Sequence, residues 1–219
     1  MGQRHRFLKG FPVVLLFVFL VSSCSNEMPS MDYVKATVIV EYENEDSLPV
    51  GRFSVFAGLS SDSRYAKSIS VHHEDSGLEW NCFEPFLFTS ADSKNWVGYT
   101  KFQLPRGFSV PEGNYKMTYE DKGENEVSLS FDLSPSDEYM GYKASQYPEV
   151  LKNYRKRMAL YSNTGDLLFY GEKKKNWKKN QDIFADYSNA CVSRDCYLVE
   201  GGSVLILLPS VDLENNNYK

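Results

Sequence analysis

Residues 33–43 read YVKATVIVEYE, with Val34, Ala36, Val38, Val40 and Tyr42 on one face and Lys35, Thr37 and Glu41 on the other. Strict alternation with β-branched residues is the pattern of a half-buried strand. It recurs in residues 52–59 (Phe53, Val55, Ala57, Leu59), 67–73 (Ile69, Val71), 96–104, 115–119 (Tyr115, Met117, Tyr119) and 127–133 (Val127, Leu129, Phe131, Leu133). Residues 79–88 (EWNCFEPFLF) are strand-like, but Pro85 cannot donate to a ladder, which places this segment at an edge or a bend. About seven short strands with no helix between them predict a β-sandwich over residues 33–134.

After residue 134 the texture changes. Residues 135–148 are polar, hold two prolines and read as a connector. Residues 157–162 and 167–171 predict a hairpin with Gly165 at its turn. Residues 181–191 carry Ile183, Phe184 and Tyr187 at helical spacing and predict one short helix. Residues 196–200 and 203–208 flank Gly201-Gly202 as a second hairpin, ending at Pro209. Residues 149–219 are thus a C-terminal β-rich region, either a second small unit or the closing strands of the first. Aromatics make up 15% of the chain and fall mostly in the alternating runs, so core packing is their first reading. Trp80 and Trp96 fall in such runs; their other reading is a platform for sugars.

Pro111-Glu112-Gly113-Asn114-Tyr115, followed by Tyr119 and Asp121, resembles the PxGxYxxxYxD run of immunoglobulin-like and fibronectin-like domains. The resemblance implies that Gly113 turns the chain and that the tyrosine bonds back to the backbone. The expected fold is all-β: an immunoglobulin-like β-sandwich with an additional C-terminal β-hairpin region.

The N-terminus carries an address. Arg4, Arg6 and Lys9 precede an apolar run over residues 11–21, the order of a secretory signal. The run falls short of the about 20 residues that a membrane span needs. Val21-Ser22-Ser23-Cys24 resembles the lipobox of bacterial lipoproteins. That resemblance implies removal of residues 1–23, a lipid on Cys24, and a membrane anchor made of acyl chains. Residues 25–32 then form a tether. The signal holds three of the 24 basic residues and none of the 29 acidic ones, so the remaining 196 residues carry a net charge of −8. Such a body does not suit nucleic acid. The whole resembles small lipoproteins of Bacteroidota-type envelopes. The surface-export tag of those proteins places acidic residues directly after the cysteine. Here the nearest are Glu27 and Asp32, which leaves the outer surface and the periplasmic face of the outer membrane both open.

Three cysteines remain after Cys24. Cys191 and Cys196 lie five apart in an exported chain, and a disulfide between them would close a small loop, leaving Cys82 free and buried. A zinc site lacks any CxxC pair. No GxSxG, HExxH or phosphate-binding glycine loop is present. His72 and His73 point to opposite faces of a strand, so they do not serve one metal together. One of them with Glu74 or Asp75 would make a base and its orienter; a polar strand end is the simpler reading. The local oddity is KKKNWKK: Lys173, Lys174, Lys175, Lys178 and Lys179 surround Trp177. It suits an anionic membrane surface or acidic glycan with Trp177 at the interface, or else a solvated loop.

No cofactor or metal is expected. Three functions are weighed. A non-catalytic binding or adhesion lipoprotein for a glycan or protein partner predicts exposed aromatics in a groove. A structural envelope component, such as a fimbrial or pilus anchor or an assembly accessory, predicts a long unpaired edge strand. A hydrolase predicts a cleft with converging carboxylates or a histidine. The first is the expectation.

Overall fold

The computed structural model describes residues 28–61, 65–135 and 137–214. Residues 1–27 lie outside them, and with them the signal, the lipobox and Cys24. The alternating runs form eight strands: β1 Met31–Glu41, β2 Val50–Leu59, β3 Ala66–His73, β4 Glu79–Cys82, β5 Phe86–Thr89, β6 Asn95–Gln103, β7 Gly113–Asp121 and β8 Glu126–Leu133. The C-terminal part adds β9 Lys156–Ser162, β10 Leu167–Gly171, β11 Ala190–Val199 and β12 Val204–Asp212, with helices α1 Tyr147–Val150 and α2 Asn180–Asp186.

These strands make two sheets, ordered β10-β9-β11-β12-β1-β2-β6-β5 and β4-β3-β7-β8. The first eight strands alone give β1-β2-β6-β5 facing β4-β3-β7-β8, the A-B-E-D and C′-C-F-G order of an immunoglobulin-like sandwich. Val55, Ala57 and Val97 of the large sheet meet Val71, Tyr115 and Met117 of the small one in a core that excludes water. Each large apolar side chain buried there contributes about 1.5–3 kcal/mol. Tyr115 Oη donates to the Pro111 carbonyl at 2.7 Å, so the tyrosine bonds back to the backbone as the PxGxY run implies. Gly113 has φ +140° at this corner, and a Cβ there would lie 2.8 Å from His73 Nε2.

The C-terminal strands continue the large sheet. β12 pairs in parallel with β1 through Val38–Val204 to Glu41–Leu207, and Tyr197, Val199, Val204 and Ile206 enter the main core. A second cluster of Met158, Leu160, Trp177, Ile183, Ala190 and Leu213 lies under α2. The 135–148 connector is pinned by tyrosines. Tyr42 Oη donates to the Tyr142 carbonyl at 2.6 Å, and Tyr147 Oη donates to the Tyr139 carbonyl.

Four boundaries differ from the sequence reading. Residues 79–88 are two strands, not one: the chain leaves the small sheet after Cys82 and joins the large sheet at Phe86, with Pro85 in the crossing. The helix ends at Asp186, because residues from Ala190 onward pair with β9. β12 runs through Pro209 to Asp212. Register passes from Cys196–Leu207 to Arg194–Ser210, so Leu208 and Pro209 share one opposing residue, and this bulge takes in the residue without an N–H. Met31 and Asp32 belong to β1 rather than to the tether.

Candidate binding surface

On the outer face of the large sheet, the residues alternating with Val55, Ala57 and Val97 are Phe56, Gly58, Trp96 and Gly98. Two glycines face two rings across the strands. Tyr33 pairs with Gly58 and Phe56 with Gly98. A Cβ on Gly58 would lie 2.6 Å from Tyr33 Cζ, and one on Gly98 would overlap the Phe56 ring. Each ring therefore covers a glycine, a cross-strand arrangement that shields backbone which no side chain of its own shields. Trp96 meets Tyr33 edge-on at 5.1 Å and lies parallel to Phe88 at 6.0 Å. Lys35 Nζ sits 5.4 Å over the Trp96 ring and Lys94 Nζ 5.3 Å over the Tyr33 ring. The result is a continuous aromatic face with two ammonium groups on it.

The β4–β5 crossing borders this face. Phe83 is 77% exposed, Phe86 51% and Phe88 47%. Asn81, Phe83, Glu84, Phe86, Tyr99 and Lys101 line a shallow open depression of about 460 Å³. β5 is the terminal strand of its sheet and carries no charge over Phe86–Thr89. Edge strands usually carry charges that block pairing with another chain, and this one does not. The signal in the sequence was FEPFLF, apolar on both faces of a strand that its proline sets at an edge.

The candidates singled out by sequence fall elsewhere. Trp177 is no interface residue: it is 2% exposed, packs on Phe169 and Tyr187, and donates from Nε1 to Asp186 Oδ2 at 2.8 Å. Lys174 pairs with the same carboxylate at 2.9 Å and caps the Trp177 ring, while Lys173, Lys175, Lys178 and Lys179 are exposed around it. The expected Cys191–Cys196 disulfide is absent. Both are free thiols in one extended strand, where five residues span about 16 Å against a Cα limit of about 7 Å. Cys82 is a buried free thiol.

His73 is 3% exposed; its Nε2 donates to the Glu112 carbonyl at 3.1 Å, and its Nδ1 accepts from the Ser76 amide at 3.2 Å. Its bonds hold the β3 turn rather than joining it to Glu74 or Asp75, and His72 is on the other face of β3. Trp80 packs on Phe53 and Tyr115 between the sheets and donates to the Gln103 carbonyl at 3.0 Å. Trp96, by contrast, belongs to the outer face. A second shallow depression is bordered by Glu41, Glu43 and Arg194, but Glu41 is already engaged by Arg52 and Arg194. Among the described residues no group of three or more acidic, histidine or cysteine side chains is placed to hold a metal, and no helix is long and apolar enough to cross a membrane.

Comparison with family models, with curated proteins and with solved structures finds no match.

Proposed function

We propose that this chain is a lipid-anchored protein of the bacterial outer membrane whose β body is a non-catalytic binding or adhesion module for a glycan or protein partner. The observation that carries the reading is the exposed tract Phe83–Phe88, apolar but for Glu84, beside an open depression. Phe83 and Phe86 offer ring faces for stacking, and Asn81, Glu84 and Lys101 offer polar contacts at the rim. Exposed apolar tracts of this kind mark contact sites on soluble bodies. The structural-component reading has less support. It needs a long free edge, and the longest terminal strand, β8, runs close to β1, whereas β5 spans four residues.

The test uses the full chain and its Phe83→Ser/Phe86→Ser variant on an array of plant, mucin and envelope polysaccharides, with photo-cross-linking from position 83 in intact cells. A ligand or cross-linked partner that the variant loses, while it melts like the wild type, supports the module. Binding indifferent to both substitutions, or none in either assay, removes it. Protease shaving of intact against lysed cells assigns the surface or the periplasmic face.

A further inference from the structure

We infer that the aromatic outer face formed by Tyr33, Phe56, Phe88 and Trp96, with Lys35 and Lys94, docks on the lipid bilayer that holds the anchor. The inference rests on the reading of Cys24 as lipidated. The placement comes from register. Met31 pairs with Leu59, Leu59 with Asn95, and Asn95 with Thr89, so the start of β1 and the β5–β6 hairpin share one end of the sheet. The Ser60 amide donates to the Ser30 carbonyl at 3.2 Å, and Asn95 Nδ2 donates to the Ser61 carbonyl at 3.2 Å. A chain arriving from the anchor therefore enters beside Lys94 and Trp96. From Cys24 to Met28 the chain spans four residues, at most about 14 Å. That leash holds this end of the sheet close to headgroups and makes contact an intramolecular event, so a weak surface suffices.

The chemistry of the face fits a bilayer interface. Trp and Tyr rings sit at headgroup level, and Phe88 is 47% exposed for insertion beside them. Lys35 and Lys94 lie along the rings and are exposed, so their ammonium groups can meet phosphate, Lys94 in exchange for its surface pair with Asp92. Among the described residues, the carboxylates placed at this end are Asp92, which pairs with Lys94 at 3.7 Å, and Asp32 in the β1 bulge. The Lys173–Lys179 cluster follows β10 at the opposite edge of the sheet, four strand spacings or about 19 Å from β1 and seven or about 34 Å from β5, and its tryptophan is buried. In this orientation the Phe83 depression, at the far end of β5 from the hairpin, stays open to the side.

The experiment places the full lipidated protein in vesicles of phosphatidylcholine and phosphatidylglycerol in which the phosphatidylcholine is brominated high on its chains. Flotation reads the anchor; tryptophan quenching reads the docked face. The expected result is bromolipid quenching that Trp96→Phe loses and that Lys35→Glu/Lys94→Glu reduces, while Lys173→Glu/Lys175→Glu leaves it unchanged. A protein that floats with Trp96 unquenched overturns the docked face and leaves the anchor standing. The same holds where a photo-cross-link from position 96 goes to protein instead of lipid. A protein that does not float overturns the anchor and the docked face with it.

Discussion

Glu41 accepts Arg52 Nε at 2.7 Å and is bonded by Arg194 Nη1, whose Nη2 also donates to the Tyr42 carbonyl at 2.7 Å. Burial alone would raise this carboxyl, but the two guanidinium groups outweigh it and hold it below its ordinary value of 4.5. A carboxylate depressed in the folded state adds stability that is present above its unfolded pKa and is lost as pH falls through the folded one. Glu41→Gln leaves two partly buried cations facing an amide and should cost about 2–3 kcal/mol at pH 7 in urea melts, toward the low end for partly exposed pairs. The gap to the wild type should close below pH 4.5, as wild-type Glu41 also becomes neutral; a constant gap would assign the effect to packing. The thiols make a second prediction. Burial pushes Cys196 up to about 11 and also raises Cys82, while Cys191 is half-buried. Thiols that are buried and protonated are inert. Iodoacetamide on the folded protein at pH 8 should label Cys191 and spare Cys82 and Cys196 until urea is added. A protected Cys191 under non-reducing conditions would revive the disulfide.

At the scale of elements, the outer face depends on glycines rather than on its rings alone. At Gly98 a Cβ would overlap both the Phe56 ring and the Val55 carbonyl, and backbone cannot rotate away. At Gly58 the obstacle is only the Tyr33 side chain, 2.6 Å away. Gly98→Ala should therefore cost about 2–3 kcal/mol in urea melts, near the upper range for overpacking, and Gly58→Ala clearly less. Equal costs would mean that Phe56 does not lie where its register places it. The strands themselves were legible because one buried face against one wet face forces period two, as in Phe53, Val55, Ala57 and Leu59. Pro85 told of an edge or bend for the same local reason, its missing donor. Trp177 was not legible. Its neighbours in sequence are mostly lysines, and the groups that pack on it, Phe169, Asp186 and Tyr187, come from β10, the end of α2 and the residue after it. Gly58 and Gly98 were not legible either, since the rings that cover them stand on neighbouring strands. The Phe83–Phe88 tract was visible as apolar residues around a proline, yet its exposure follows from the crossing between sheets, which composition does not encode.

For the whole molecule, β1 is the strand on which both parts of the chain depend. It pairs with β2 along its length and with β12 over four residues, Val38–Glu41. That short parallel seam would be weak by hydrogen bonding alone. It is reinforced on both faces: Val40, Tyr197 and Ile206 are buried in the main core, and Ile39, Cys196 and Leu207 form a small cluster on the other side. Strands that share a core open together, because exposing one face uncovers the other. The C-terminal strands should thus unfold in one transition with the sandwich, although α2 covers its own cluster. Trp177 is a probe built into that cluster. In a Trp80→Phe/Trp96→Phe variant its emission reports the C-terminal part alone, and in Trp177→Phe the remaining two tryptophans report the sandwich. Each pair of urea curves should be compared with circular dichroism of the same variant, and the midpoints should coincide. Ile206→Ala, a buried truncation costing about 2–5 kcal/mol, should then shift both probes by the same amount. If it moves the Trp177 transition and leaves the sandwich in place, the seam between β1 and β12 is a boundary between two units that melt separately.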